Sequence, residues 1–390
     1  FSSQLVFTNI GHQHPRVVAA IKEQADRLCT VAPQFANAQR SEAARLISEI
    51  APDGFEKVFF TNGGADANEH AVRMARLHTG RFKVLSTYRS YHGGTQTAIN
   101  MTGDPRRWAN DTATAGTVHF FGPFLYRSEF HATTEEEECE RALAHLRRTI
   151  EAEGPDSLAA IILETIPGTA GIFAPPPGYL AGVRALCDEH GIVMILDEVM
   201  AGFGRAGAWL ALDRYDVVPD LITFAKGVNS GYVPLGGVII SEPIAETFAH
   251  RAYPGGLTYS GHPLATAAAV ATINTMRDEG IVENAERLGR DVFDPGLADL
   301  AERHACVGEV RGVGAFWAVD LVTDRSTKAM LPPAALNEVV AACKSAGLLP
   351  FSNTNRIHLV PPCTMSDEEA REGLAILDDA LKAGDAHVQS

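Results

Sequence analysis

The chain has 390 residues, 46% of them hydrophobic, and a formal net charge of −15. That length holds two or three domains, or one large domain with an appendage, around a sizeable core. The acidic balance argues against nucleic acid or an anionic membrane surface as the main partner, and no apolar run reaches the ~18 residues of a membrane span.

The opening stretch, FSSQLVFTNIGHQHP, has neither a basic n-region nor a signal-like apolar core. It reads like interior sequence, so residues are expected upstream and a targeting peptide among them stays open. His12 and His14 read as a turn into Pro15 rather than metal ligands, since no third ligand presents itself. From there, short runs rich in Val, Ile, Leu and Phe alternate with amphipathic stretches of helical length. The predicted strands are 57–60, 83–87, 158–166, 191–199, 221–225 and 236–240. The predicted helices between them are 65–80, 135–154 and 177–191. In the first helix Ala67, Ala71, Met74 and Ala75 fall on one side, and Gly80 supplies the stop. Strands that are apolar throughout imply a sheet covered on both faces, hence a mainly parallel α/β sheet.

The tail changes character. A long helical stretch over 263–304 precedes a smaller α+β unit, whose last helix is capped by Ser366 with acidic residues following. The expected organisation is an N-terminal segment over 1–35 that packs with the small domain, a large domain over 36–284, and a small C-terminal domain over 285–390. Six cysteines, without a C-x-x-C pair or zinc spacing, fit reduced thiols in a cytoplasmic protein.

The polar residues that look out of place sit at the ends of the predicted strands. FFTNGGADANEH ends a strand in glycines and opens a helix, where backbone N–H groups make an anion site suited to phosphate. YRSYHGGT follows the next strand: Tyr91 suits stacking on a flat ring, and Gly93 and Gly94 allow close approach. Asp197 closes six apolar residues, and Glu164 is placed alike after LAAIIL. A carboxylate there is costly unless paired or hydrogen-bonded. Lys226 ends LITFA and is the single lysine between Lys83 and Lys328. At a core edge a lysine can have a lowered pKa and act as an amine nucleophile. Taken singly, each also fits a plain structural role as turn, helix cap, ion pair or surface lysine. Taken together, at the carboxyl ends of a parallel sheet, they match the phosphate, ring, pyridine nitrogen and aldehyde of pyridoxal 5′-phosphate.

With these residues in place, the chain resembles the class III (ω-) aminotransferases, pyridoxal-phosphate enzymes of fold type I. NIGHQHPRVVAAI, TNGGADANEHAVRMAR, YHGGT, LDEVMAGFGRAGAW, FAKGVNSGYVPLGGV, LTYSGHPLATAAA and VRGVGAFWAVDLV occur in the family's order and span essentially the whole chain. The resemblance implies a large domain with a mainly parallel sheet plus a smaller α+β C-terminal domain. It implies that Gly64 and Ala65 hold the phosphate, with Ala65 where the family often has Ser. Tyr91 and Val199 would lie on the two faces of the ring, Asp197 would pair with the pyridine nitrogen, and Glu164 would lie close to the ring. Lys226 would form the Schiff base. Thr258 would reach the phosphate of the partner subunit's cofactor, so the active unit would be a homodimer.

Departures from the family concern the substrates, an amine and a 2-oxo acid such as pyruvate. Met200 stands where the family often has Gln. Val6 falls where many members carry a pocket Trp, and Thr169 where others carry a gating Glu. His358 stands where many members place a carboxylate-binding arginine. Arg356, two residues earlier and so on the same face of a strand, is the candidate to take over that role through a bidentate pair. The alternatives are another reaction on the same cofactor (phospho-lyase, decarboxylase or racemase) and a non-catalytic dimer partner. Retention of Lys226, Asp197 and Tyr91 disfavours the second.

Overall fold

The computed structural model describes residues 1–110 and 116–388. Among them, seven strands form one sheet: β1 (Lys57–Thr61), β2 (Lys83–Thr87), β3 (Thr117–Phe120), β4 (Leu158–Glu164), β5 (Val193–Asp197), β6 (Leu221–Phe224) and β7 (Gly236–Ile240), in the order β1-β7-β6-β5-β4-β2-β3. Strand β7 runs antiparallel to both its neighbours, and every other pairing is parallel. The central strands β4, β5 and β6 are buried at every position because helices cover both faces. On one face Ala67, Ala71 and Met74 of the helix Gly64–Thr79 pack with Ile162, Ile195 and Val238. On the other, Leu146, Val183 and Ile273 join Ile161, Leu196 and Ile222. Gly80 stops the first helix in the left-handed conformation, as expected.

One expectation about elements is corrected by the structure. The stretch 263–304 is not one helix. It breaks into Pro263–Asp278, Ile281–Leu288 and Asp294–Arg303, with Gly280 left-handed at the first break and a π-turn at Gly289–Phe293. Gly289 is needed there, since a Cβ would stand 2.6 Å from the carbonyl oxygen of Gly314. The sequence also gave no sign of β3, a four-residue strand at the sheet's edge.

The C-terminal layer is a second, antiparallel sheet of β8 (Val307–Val313), β9 (Phe316–Asp324), β10 (Ala329–Met330), β11 (Phe351–Asn353) and β12 (Arg356–Leu359). Ile357 and Leu359 face a separate core with Leu377 and Leu381 of the helix Asp367–Asp385, so Arg356 and His358 point the other way. Ser366 caps that helix in a capping box with Glu369. The first residues of the chain join this layer. Ser2 bridges Val360, and the Phe1 ring meets Phe293 edge-on at 5.7 Å. The helix Pro15–Arg27 then packs on Pro263–Asp278 of the larger unit. Among the described residues, no helix is long and apolar enough to cross a membrane.

Candidate active site

Because β1, β2, β4, β5 and β6 run parallel, their carboxyl ends meet at one edge of the sheet, and a cavity of about 390 Å³ opens there. Gly64, Ala65, Tyr91, Glu164, Thr169, Asp197, Val199, Met200 and Lys226 all line it. Its floor is the start of the helix Gly64–Thr79, whose N-cap Gly63 has no side chain to occupy the first-turn N–H groups. The close fit here is set by missing Cβ atoms. One at Gly64 would stand 2.8 Å from Val199 Cγ1, and one at Gly93 (φ +134°) would stand 2.4 Å from Ala65 Cβ.

Asp197 ends β5, is 3% exposed, and sits beside Glu164 in register. Its Oδ2 accepts from Asn68 Nδ2 and His92 Nδ1, both at 2.8 Å, and its Oδ1 accepts from the Val199 N–H at 3.0 Å. Asn68 is itself fixed, donating to the His92 carbonyl and accepting from Thr223 Oγ1. These bonds answer the cost of burying a carboxylate. They leave His92 Nε2 buried without a partner among the described residues. Glu164 accepts from the N–H groups of Tyr91 and Gly168, each at 2.9 Å. Burial, and then the neighbouring Asp197, push its carboxyl up to about 7.

Lys226 follows β6 and holds φ at +45°, in the left-handed region that side-chain-bearing residues rarely adopt. Burial above all lowers its amine from the usual lysine range. Arg106 and Arg205 act in the same direction, while Asp197 and Glu164 oppose them. The Tyr91 ring carries the Arg106 guanidinium 3.5 Å from its centroid, and Asp104 holds that guanidinium with both carboxylate oxygens. Thr169 Oγ1 lies 3.7 Å from Met200 Sδ.

Three expected site residues lie elsewhere. Val6 is not on the cavity wall: it is buried with Ile166, Met200 and Phe316 at φ +60°, and Phe7 takes the wall position. Thr258 is exposed on segment 251–260, away from this chain's own cavity. Arg356 lines a neighbouring chamber of about 650 Å³ that shares Thr169 with the cavity. Among the described residues, Arg89, Arg106, Arg127 and Arg356 line that chamber against Asp104 and Glu129. Arg89 is paired with Glu129 and Arg127 with Asp320, whereas the nearest acid to Arg356, Asp320, is 4.0 Å away. Burial pushes Arg356 down to about 10, with Arg311, Arg127 and Arg89 adding to it against Asp320. His358 lies fully buried behind, pushed down to about 3 by burial and then by Arg356, with neither ring nitrogen partnered among the described residues. His14 pairs with Glu279, and no group of three or more metal-ligating side chains occurs among the described residues.

Asn68, His92, Phe7 and Arg106 are the site residues the sequence reading passed over. The first two stood inside quoted motifs, but their tie to Asp197 spans 129 and 105 residues and has no local signature.

The family described as aminotransferase class-III matches residues 1–381. The chain is 36% identical to an acetylornithine aminotransferase of Methanopyrus kandleri, covering 96% of this chain and 87% of that protein. It is 33% identical to a leucine/methionine racemase of Thermococcus litoralis, over 98% of this chain and 86% of the relative. Among solved structures, a taurine:2-oxoglutarate aminotransferase from Bifidobacterium kashiwanohense, in complex with pyridoxal phosphate and glutamate, superposes with a TM-score of 0.96. It shares 42% identity over all of this chain and 89% of that one.

Proposed function

Since the chain belongs to the class-III aminotransferases, enzymes that transfer amino groups with pyridoxal phosphate, we propose that it moves an amino group from an amine or ω-amino acid to a 2-oxo acid such as pyruvate. The observation that carries this is the meeting of Lys226, Asp197, Tyr91 and the glycine-lined helix start on one cavity.

The residues present fit the cofactor. The first-turn N–H groups at Gly64 and Ala65 suit its phosphate, and Tyr91 and Val199 would bracket its ring. When bound, pyridoxal phosphate supplies an aldehyde that takes up the amino group and a ring that spreads the charge left by a departing proton. Asp197 holds the proton at the ring nitrogen, and its three donors keep the carboxylate from turning. Lys226 Nζ would hold the cofactor through its aldehyde and, as a free amine, would carry the proton at the substrate carbon. Its lowered pKa raises the fraction of free amine near neutrality. Glu164 anchors the Tyr91 backbone beside the ring. Thr169 and Met200 shape the passage toward the chamber, where Arg356 would receive an acid group of the substrate. Val6 would act only from behind Met200.

A homodimer completes the proposal: Thr258, exposed in its own chain, would reach the phosphate bound by the partner subunit. Domains over 36–284 and 285–390 would frame the site; of segment 1–35, the first residues lie against the small domain and the helix Pro15–Arg27 against the large one. Residence in the cytoplasm is in keeping with six unpaired cysteines. Two tests decide the assignment. Initial rates with a panel of donors, and pyruvate or 2-oxoglutarate as acceptor, should give parallel lines and a new amino acid as product. Borohydride should fix the cofactor on Lys226. The likeness to a racemase favours one second reading, a reaction without acceptor; loss of chirality in a single amino acid with no oxo acid present would establish it.

A further inference from the structure

Arg205 is fully buried, yet none of its acceptors among the described residues is a carboxylate. It donates to the carbonyls of Ala315 (2.9 Å) and Pro361, to Ser3 Oγ (3.0 Å) and to Asn9 Oδ1 (2.8 Å). A buried cation without a counter-ion is expensive, so its place calls for a reason. It joins three parts of the molecule: the first residues of the chain, the loop after β5, and the C-terminal layer.

Asn9 is the informative contact. With Oδ1 taken by Arg205, its Nδ2 must point the other way, where it donates to the Phe203 carbonyl at 2.7 Å. That amide lies directly on the lysine turn: a Cβ at Gly227 would stand 2.5 Å from Asn9 Nδ2. The turn is strained, with Lys226 at φ +45° and Ser230 at φ +52°. Such conformations persist only where the surroundings hold them. Ser230 Oγ accepts from the Ile10 N–H at 3.2 Å, so the same segment grips the turn at a second point.

We propose that Arg205 is a positioning residue for Lys226: by fixing the Asn9 amide against Gly227, it holds the lysine turn in its left-handed form and aims the amine into the cavity. This rests on Lys226 being the reactive amine. Asn9→Ala removes the wedge and leaves Arg205 its other acceptors, while Arg205→Met removes the donors at similar length. The readout is the pH midpoint of the absorbance change of the lysine-bound cofactor, with kcat and amine KM beside it. Both variants should move the midpoint in one direction by about half a pH unit or more, and lower kcat about tenfold while KM changes little. Arg205→Lys should recover part of both effects. The double variant should go no further than the single ones, because the two residues act as one unit. Should Arg205→Met not fold, the Asn9→Ala midpoint decides alone. An unmoved midpoint in Asn9→Ala that still forms the borohydride adduct overturns the clamp alone. A wild-type protein with no adduct on Lys226 overturns the assignment of the lysine, and the proposal with it.

Discussion

Glu164→Gln in the cofactor-free protein isolates a titration that folding itself has displaced. The Glu164 carboxyl is pushed from 4.5 to about 7, by burial first and by Asp197 second. Between those values the unfolded chain has released a proton that the folded chain still holds. Stability therefore falls as pH rises through this window and is fully reduced above about 7. One pH unit of displacement is worth about 1.4 kcal/mol, so ionising Glu164 costs the fold about 3 kcal/mol by pH 8. Glutamine keeps the oxygen that accepts from the Tyr91 N–H but sets an NH₂ against the Gly168 N–H. That loss, about 1–3 kcal/mol, is the same at every pH. The slope is thus the clean readout. Urea unfolding at pH 5, 6, 7 and 8 should show the variant weaker at pH 5 and level with, or stronger than, the wild type at pH 8. The buried Glu198, also raised to about 7, titrates in both proteins and cancels. Parallel stability curves for the two proteins across this range would refute the reasoning.

Three further outcomes are expected. Gly93→Val places side-chain atoms where a Cβ alone already meets Ala65 at 2.4 Å; cofactor retention after gel filtration should fall at least about tenfold, since the helix start must shift. His92→Phe keeps the bulk beside Asp197 and removes one of its three donors; kcat should drop by about tenfold, with the cofactor still fixed by borohydride on Lys226. Arg356→Met should lower kcat/KM for 2-oxoglutarate by roughly 10–100-fold, about 1.5–3 kcal/mol for a charge-assisted bond, and leave a neutral amine donor within about threefold.

Much of the site was legible because its residues break a strong pattern. Asp197, Glu164 and Lys226 each end a run of apolar residues, and a parallel sheet brings all such ends to one edge. What the pattern could not convey were relations fixed by tertiary packing. The partners of Asp197 come from a helix start and a loop far away in the chain, and each would pass as an ordinary polar residue. Val6 and Phe7 exchange places because the chain turns left-handed at Val6, an unusual choice for a β-branched residue. The helical period over 263–304 continues across the breaks, which Gly280, Gly289 and Pro295 mark in the sequence. Arg205 sat unnoticed in GFGRAG, since nothing local distinguishes a buried arginine from a solvated one.

The single reversed strand, β7, has a consequence for how the reactive lysine is mounted. A parallel successor to β6 would have needed a crossover of roughly a dozen residues or more, carrying the chain back to the opposite edge of the sheet before the next strand began. Here β6 ends at Phe224 and β7 begins at Gly236, so segment 225–235 leaves and re-enters the sheet at the same edge. Lys226 thus rides on a short bridge with both abutments set in fully buried strands. Lengthening or shortening that bridge would lift the amine off its target. The first ten residues brace the bridge from outside, through Asn9 against Gly227 and the Ile10 N–H on Ser230 Oγ.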